Sequence, residues 1–368
     1  MKKIVVKVGT STLTQGTKKL SQKYMLELTR QLSVLHEKGY QVILVSSGAI
    51  AAGRELLHHP TIDRSVPSKQ MFAAVGQVQL MQRWTQLFSL FNINVGQVLL
   101  TRDDLSHRRR YLNARDTLEC LLQHHIVPII NENDTVATAE IRVGDNDNLA
   151  ALVCNLIAAD MLILLTDQEG LYTADPRHNP DAKLIPVVKH IDDEIFALAK
   201  GSSTSLGTGG MTTKLEAAKN AAQCGTPTMI ASSAHPNVLL DIVEDKHIGT
   251  RFLTEITPQE SRKRWLLAEK RQGLIQVDQG AAEKIQHHGA SLLPSGITKT
   301  ALHFERGAVI HILDATAKPI AVGIANYGDQ EIAKLIGAHS KDIEEILGYS
   351  YGTEIVHRTN MTRIKGKE

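Results

Sequence analysis

The segment Lys3-Ile4-Val5-Val6-Lys7-Val8-Gly9-Thr10-Ser11 decides how the first part of the chain folds. Its β-branched residues predict a buried strand over 3–8, and Gly9 indicates a turn directly after it. Lys7 places an ammonium group at the end of that strand, where burying a charge is costly unless a partner compensates it. The segment therefore predicts that Lys7 meets a partner from elsewhere in the chain.

Short apolar runs alternate with amphipathic stretches on the C-terminal side of this segment. Strands are predicted at 3–8, 41–46, 93–100, 126–131, 160–166 and 227–231, and helices at 21–38, 68–90, 111–124, 146–158 and 212–223. This alternation predicts an α/β fold in which a mainly parallel sheet is sandwiched by helices. Ligands of such sheets bind beyond the carboxyl ends of the strands, so we expect the chemistry at that edge.

The pattern changes near residue 250. Residues 257–271 are polar and charged, which is typical of a connection between domains. The short, glycine-punctuated strands that follow predict a small, mainly β, barrel-like domain. We therefore divide the chain into a large α/β domain over 1–256, a linker over 257–272, a small domain over 273–352 and a C-terminal tail over 353–368.

Composition excludes several classes of protein. The 368 residues carry 41 Lys and Arg against 39 Asp and Glu, and this balance gives no general field for nucleic acid or a membrane surface. Cys120, Cys154 and Cys224 are odd in number and far apart, which favours reduced core residues over disulfides or metal ligands. No apolar run approaches the length of a membrane span. These features predict a cytoplasmic protein that does not enter membranes.

The stretch Gly207-Thr208-Gly209-Gly210-Met211-Thr212-Thr213-Lys214 is a glycine-rich loop that opens a helix. Free N–H groups and the helix dipole at such a position suit a phosphate, and Lys214 would add a positive charge. A flexible surface loop with an ordinary helix cap fits this stretch equally well. It is not a P-loop, because its lysine does not follow a glycine. The turn after strand 3–8 also lacks the second and third glycines of a dinucleotide site.

The turn Val143-Gly144-Asp145-Asn146-Asp147-Asn148 packs two carboxylates and two amides before an apolar helix. It lacks the glycine and the final glutamate of an EF-hand calcium loop, whereas a simple helix-capping cluster remains open. Next to Lys7 and Lys214, Asp147 would hold both ammonium groups in position and keep them protonated. Such a set of charges suits phosphoryl transfer, and an acceptor that is already an anion needs no general base.

Five motifs together resemble the amino acid kinase family, and the resemblance extends over nearly the whole chain. They are VVKVGTS at 5–11, SSGAIAAG at 46–53, NEND at 131–134, VGDNDN at 143–148 and GTGGM at 207–211. The C-terminal part resembles a PUA domain. That fusion favours the family members that phosphorylate L-glutamate over those that act on acetylglutamate, aspartate or UMP.

The resemblance implies transfer of the γ-phosphoryl group of ATP, bound with Mg²⁺, to the γ-carboxylate of L-glutamate, the first step of proline biosynthesis. It implies that Lys7 and Lys214 stabilise the phosphoryl group and that Asp147 organises them. The implied substrate-binding residues are Ser47, Asp134 and Asn146. The implied nucleotide-binding residues are Lys7, Thr166, Asp167, Thr208, Gly209, Gly210, Met211, Thr212, Thr213 and Lys214.

The resemblance also implies partners. They are L-glutamate as substrate, proline as feedback inhibitor, further copies of the chain in a dimer or tetramer, and a reductase that takes the acyl phosphate. An RNA-binding role for the PUA-like domain is the alternative from another class. No basic stripe marks residues 273–352, and RNA binding leaves Lys7, Asp147 and Lys214 unexplained. The His-His pairs at 58/59, 124/125 and 287/288 lack further ligands at suitable spacing, so no protein metal site is predicted.

Overall fold

The computed structural model describes residues 2–63, 65–137, 146–199 and 210–364. The chain divides into two compact units, one of residues 1–107 and 113–258 and the other of residues 108–112 and 259–368. None of the helices in the described ranges is both long and apolar enough to cross a membrane.

The large unit contains a sheet with the strand order β3-β4-β2-β1-β5-β7-β8-β6. Its strands are β1 Lys3–Val8, β2 Gln41–Ser46, β3 Val95–Leu100, β4 Val127–Glu132, β5 Met161–Thr166, β6 Val187–Val188, β7 Thr228–Ser232 and β8 Thr250–Phe252. The first five strands and β7 run parallel, whereas β8 is antiparallel to β7. The mainly parallel α/β sheet predicted from the alternation is therefore confirmed.

Helices connect these strands. They are α1 Thr10–Thr14, α2 Gln22–Glu37, α3 Ala49–Leu56, α4 Val66–Ser89, α5 Arg102–Ser106, α6 Arg108–Gln123, α7 Asn146–Ile157, α8 Asp193–Ala199, α9 Met211–Gln223 and α10 Val238–Val243. The five predicted helices correspond to α2, α4, α6, α7 and α9. The five that the sequence pattern does not show have eight residues or fewer, which is too short for a clear helical repeat.

Strand β1 lies in the middle of the parallel part of the sheet. Val5 and Val6 are completely buried, and Lys7 is paired in register with residues of both neighbouring strands, Val45 and Leu164. Since the neighbours of β1 are parallel to it, their carboxyl ends meet beside Lys7. The fold thus gathers the ends of β4, β2, β1 and β5 at one edge.

Helices α3 and α4 cross with their backbones in contact. A Cβ atom on Gly53 would lie 2.0 Å from the carbonyl oxygen of Phe72, and one on Gly76 would lie 1.8 Å from that of Ala49. Real Cβ atoms do not approach backbone oxygens so closely, so only glycine permits this crossing. The crossing fixes the position of α4 against the first turn of α3, the helix that follows β2.

We expect Gly76→Ala to lower the free energy of unfolding by about 1–3 kcal/mol, because the added methyl group must push the two helices apart. At an open helical position the same change would stabilise the protein. Urea denaturation of the purified variant measures the effect. Thr85→Ala, at an exposed position of the same helix, is the control and should leave stability nearly unchanged. An unchanged midpoint for Gly76→Ala would contradict the close crossing.

The small unit has a separate sheet with the order β10-β9-β11-β12-β13. Its strands are β9 Gly273–Val277, β10 Ile297–Ala301, β11 Val309–Leu313, β12 Pro319–Ile324 and β13 Met361–Arg363, and its helices are α11 Pro258–Ala268, α12 Gln279–His288, α13 Asp329–Leu335 and α14 Ile343–Leu347. Ile275, Ile310 and Tyr327 belong to its own buried core. The predicted small, mainly β domain is present.

Two segments of the small unit differ from the sequence interpretation. The predicted linker contains α11, whose Leu266 is buried in a cluster with Val309 and Val322. Its charged residues made it resemble a connection, yet Lys263 and Arg264 are on the exposed side of the helix. The predicted tail contains β13, which pairs antiparallel with β12. A three-residue strand is too short to give a period-two pattern.

The three cysteines are all free thiols. Cys154 is buried and Cys224 is partly buried, but Cys120 is exposed on α6. The prediction that all three are core residues is therefore wrong for Cys120, which lies on the solvent side of an amphipathic helix.

Candidate active site

Three charged side chains meet at the carboxyl edge of the large sheet. Lys7 comes from the end of β1, Asp147 from the first turn of α7 and Lys214 from the first turn of α9. The Lys7 Nζ atom lies 2.5 Å from Oδ1 of Asp147, and the Lys214 Nζ atom lies 3.1 Å from Oδ2. One carboxylate therefore bridges two ammonium groups, as the sequence predicts.

The cluster is almost completely removed from solvent. Asp147 is 0% exposed, and Lys7 and Lys214 are each 5% exposed. Buried charges of this kind are tolerated only when they are paired and hydrogen-bonded. With two ammonium groups against one carboxylate, the cluster keeps a net positive charge that a phosphate would neutralise.

The Asp147 carboxylate is held in its ionised form. Burial by itself would raise its pKa, but the charges of Lys7 and Lys214, and the hydrogen bonds from both, outweigh burial and hold the pKa well below its usual range. Asp147 is therefore a permanent anion at neutral pH and cannot serve there as a proton donor.

Thr213 adds a polar contact to the same carboxylate. Its hydroxyl lies 2.9 Å from Oδ2 of Asp147 and 2.9 Å from the carbonyl oxygen of Gly210, so its single hydrogen can be donated to either acceptor. Gly210 caps α9 without a side chain, which leaves the N–H groups of the first turn to other acceptors. The positive end of the helix dipole adds to the charge of Lys214 at this point.

A second polar group surrounds Asn146, the residue before Asp147. The amide nitrogen of Asn146 lies 2.8 Å from Oδ1 of Asn131, 3.0 Å from the Ser47 hydroxyl and 3.1 Å from the Ser46 carbonyl oxygen. These partners stand at the ends of β2 and β4. The structure thus brings Ser47 and Asn146 together beside the charged cluster.

The other candidate residues occupy the same edge or fall outside the described ranges. Asp134 follows β4 by two residues and is half-buried. Thr166 ends β5, and its hydroxyl donates to the exposed carboxylate of Asp167 at 3.1 Å. Met211 and Thr212 begin α9 after Gly210. Thr208 and Gly209 lie outside the described residues.

Sequence reasoning overlooked two members of the Asn146 network. Asn131 lies in the quoted NEND motif, so its position at a strand end could have identified it. Gln77, whose Oε1 atom accepts from Nδ2 of Asn131 at 2.8 Å, lies inside α4 and has no local signal. A single polar residue on a long amphipathic helix looks like any other boundary position.

Known proteins resemble this chain over almost its whole length. Residues 2–232 match the amino acid kinase family, and residues 273–347 match the PUA domain. The glutamate 5-kinase of Haemophilus influenzae (strain PittEE) is 51% identical over 361 residues, which cover 98% of each chain. That of Vibrio vulnificus (strain YJ016) is 53% identical over 365 residues, which cover 99% of this chain and 96% of the other. The UMP kinase structure from Bacillus anthracis aligns with 70% of this chain and 97% of its own at 16% identity, with a TM-score of 0.48. From the family match and the near-complete relatives, the chain belongs to the amino acid kinase family and carries a C-terminal PUA domain.

Proposed function

We propose that this protein transfers the γ-phosphoryl group of ATP to the γ-carboxylate of L-glutamate, giving L-glutamyl 5-phosphate and ADP as the first step of proline biosynthesis. The buried cluster of Lys7, Asp147 and Lys214 carries the proposal, because it supplies the charge that a moving phosphoryl group requires. The choice of glutamate is supported by relatives named glutamate 5-kinase that match over almost the entire chain.

The chemistry follows from the charges. An oxygen of the γ-carboxylate attacks the γ-phosphorus while the bond to the bridging oxygen of ADP breaks. The acceptor is ionised at neutral pH, so no side chain has to remove a proton. Lys7 and Lys214 neutralise charge on the phosphoryl oxygens, and Asp147 holds the two ammonium groups in place. We also assign Thr166, Asp167 and the loop residues 208–214 to the nucleotide.

The order of the strands supports a division of the site into two halves. The proposed acceptor residues Ser47 and Asp134 follow β2 and β4, which lie on one side of β1. Thr166 ends β5, on the other side, and Asp167 follows it. Lys7, at the end of β1, therefore stands between the two halves, where the phosphoryl group has to cross.

We propose that Mg²⁺ enters with ATP. Bound with the nucleotide, the ion would neutralise part of the negative charge of the phosphates. The donor set of the cluster fits this assignment, because Asp147 is already neutralised by two ammonium groups and is a poor ligand for a further cation. We therefore assign the ion to the nucleotide phosphates.

ADP release measured with a panel of possible phosphoryl acceptors tests the proposed function. ADP release should occur with L-glutamate and not with L-aspartate, N-acetylglutamate or UMP. Hydroxylamine should trap the product as a hydroxamate, since an acyl phosphate reacts readily with nucleophiles. Lys214→Ala is the control for contaminating kinase. Turnover of another acceptor in preference to L-glutamate would refute the proposed substrate.

Asp134→Ala is expected to raise KM for L-glutamate by roughly tenfold or more, as loss of a charged hydrogen-bond partner should, with little change in KM for ATP. The reason is that Asp134 follows β4, away from the nucleotide residues. Steady-state kinetics with each substrate varied in turn measures the split. Val136→Ala, in the same turn and 65% exposed, is the control. Equal increases in both constants would show that the site has been divided incorrectly.

We further propose the partners that the product and the acceptor site imply. Proline has the carbon skeleton of cyclised glutamate and should compete with L-glutamate at the site of Ser47, Asp134 and Asn146. The acyl phosphate hydrolyses readily, so a reductase should take it directly. We place these reactions in the cytoplasm, with the protein as a dimer or tetramer of identical chains. Inhibition by proline that L-glutamate cannot relieve would contradict a shared site.

A further inference from the structure

Gln77 connects α4 to the polar network around Asn146. Its Oε1 atom accepts from Nδ2 of Asn131 at 2.8 Å, and Oδ1 of Asn131 accepts from Nδ2 of Asn146, also at 2.8 Å. The three amides thus form a chain from α4 through β4 to the first residue of α7. Asn146 is the proposed substrate-binding residue at its end.

The backbone N–H of Glu132 determines the direction of the hydrogen bonds among these three amides. The N–H of Glu132 donates to Oδ1 of Asn131 at 2.9 Å, and a backbone N–H can only donate. That atom of Asn131 must therefore be its oxygen, so its nitrogen points to Gln77 and donates. Asn146, which meets the same oxygen, must present its nitrogen. The orientation of the Asn146 amide is therefore determined by Asn131, and that of Asn131 is completed by Gln77.

Helix α4 holds Gln77 rigidly in this position. The neighbouring Gly76 lies against the backbone of α3 at the crossing described above. Two turns further along the same face, the indole N–H of Trp84 donates to the Ser46 hydroxyl at 3.2 Å. The helix is therefore held against α3 next to Gln77 and bonded to the end of β2 two turns further along.

Gln77 makes few other polar contacts. Its Nε2 atom is buried, and no residue in the described ranges accepts a hydrogen bond from it. Burying an amide nitrogen without a partner has a cost, which a residue selected only for packing would avoid by being apolar. The side chain is thus explained by its bond to Asn131 rather than by its contribution to the core.

We propose that Gln77 is a positioning residue for the acceptor: together with the backbone N–H of Glu132 it holds Asn131, and through it the Asn146 amide, in the orientation that binds L-glutamate. The inference rests on the proposed function. It assigns to α4 a part in substrate recognition, although this helix contributes no residue to the charged cluster.

Gln77→Met tests the role, since it keeps the length of the side chain and removes the acceptor. We expect KM for L-glutamate to rise roughly three- to tenfold, the effect of one lost hydrogen bond. KM for ATP should stay within about twofold, because the bond belongs to the acceptor half. The melting temperature should change by less than about 2 °C, because the change also removes the buried Nε2 atom, for which the described residues offer no acceptor. Gln82→Met, at an exposed position of α4, is the control and should match the wild type.

A double-mutant cycle shows whether Gln77 acts through Asn131. In the Asn131→Ala background, Gln77→Met should raise KM for L-glutamate by less than about twofold, because the hydrogen-bond partner through which Gln77 is proposed to act is already gone. Full additivity of the two changes would overturn the proposal. A lower melting temperature with equal losses for both substrates would overturn it too, in favour of a structural role.

The wild-type protein separates the two possible failures. If it does not phosphorylate L-glutamate, the proposed function is refuted together with this inference. If it does, and Gln77→Met has an unchanged KM, only the role of Gln77 is refuted.

Discussion

Replacing Lys214 by alanine is expected to lower kcat by roughly two to four orders of magnitude, as loss of a preorganised charge in a dry site should. Lys214 is 5% exposed and its ammonium group lies 3.1 Å from Asp147, so water cannot readily take its place. KM for either substrate should change much less, because the charge acts chiefly on the phosphoryl group in transit. Steady-state ADP release with L-glutamate measures the effect. Lys7→Ala should behave alike, with little rescue by arginine, whose planar group does not fit the place of a compact ammonium.

Lys219→Ala is the matched control. Lys219 lies on the same helix as Lys214, but it is exposed and its ammonium group stands 5.4 Å from the ring centre of Phe196. The control should retain wild-type turnover. Near-normal kcat in Lys214→Ala would refute the assigned mechanism, whatever the control shows.

Asp147→Asn is expected to lower the free energy of unfolding by about 3–5 kcal/mol at neutral pH, because it leaves two buried ammonium groups without a counter-charge. We also expect kcat to fall at least about a hundredfold, since Lys7 and Lys214 lose the group that holds them. The variant keeps the size and shape of the side chain, so the effect reports the charge. Urea denaturation and steady-state kinetics on the same preparations measure both changes.

The pH dependence of the difference in unfolding free energy between the wild type and Asp147→Asn provides a further check. The folded pKa of Asp147 lies below its usual value, so its stabilising effect is fully present above the unfolded value of about 3.9. It is lost as the pH falls through the folded pKa. The difference in unfolding free energy between wild type and Asp147→Asn should therefore be constant from about pH 5 upward and shrink below about pH 4. Asp103→Asn, at an exposed position of α5, should show no such difference. Equal stability of Asp147→Asn and wild type at pH 7 would contradict the cluster.

The sequence allowed the sheet to be predicted because each strand carries its own apolar run and each long helix its own repeat. Lys7 could also be identified locally, since a charge interrupts an otherwise apolar strand. Its meeting with Asp147 and Lys214 could not be derived in the same way. Those residues lie 140 and 207 positions later, and their contact depends on the order of strands in the sheet. The complementary charges of the acidic turn and the two lysines suggested the contact, and the resemblance to the kinase family implied their roles.

The features that the sequence did not show are those that depend on partners far away in the chain. The role of Gln77 depends on its hydrogen bond with Asn131, 54 residues later in the sequence. Gly53 and Gly76 look like interruptions of helices until the two backbones touch. Helix α11 looked like a linker because Leu266 is its one fully buried side chain, and residues that bury it lie on β11 and β12. Local patterns do not contain this information.

The first two residues of α7 join the halves of the proposed site. Asn146 faces the acceptor network and Asp147, the very next residue, holds both lysines. Successive helical residues are turned by about 100° from one another, so inserting or deleting a single residue here would swing one of them out of place. These two positions can therefore be adjusted only by exchanging side chains, because no loop lies between them. Any redesign of the acceptor specificity therefore has to keep Asn146 and Asp147 adjacent at the start of α7.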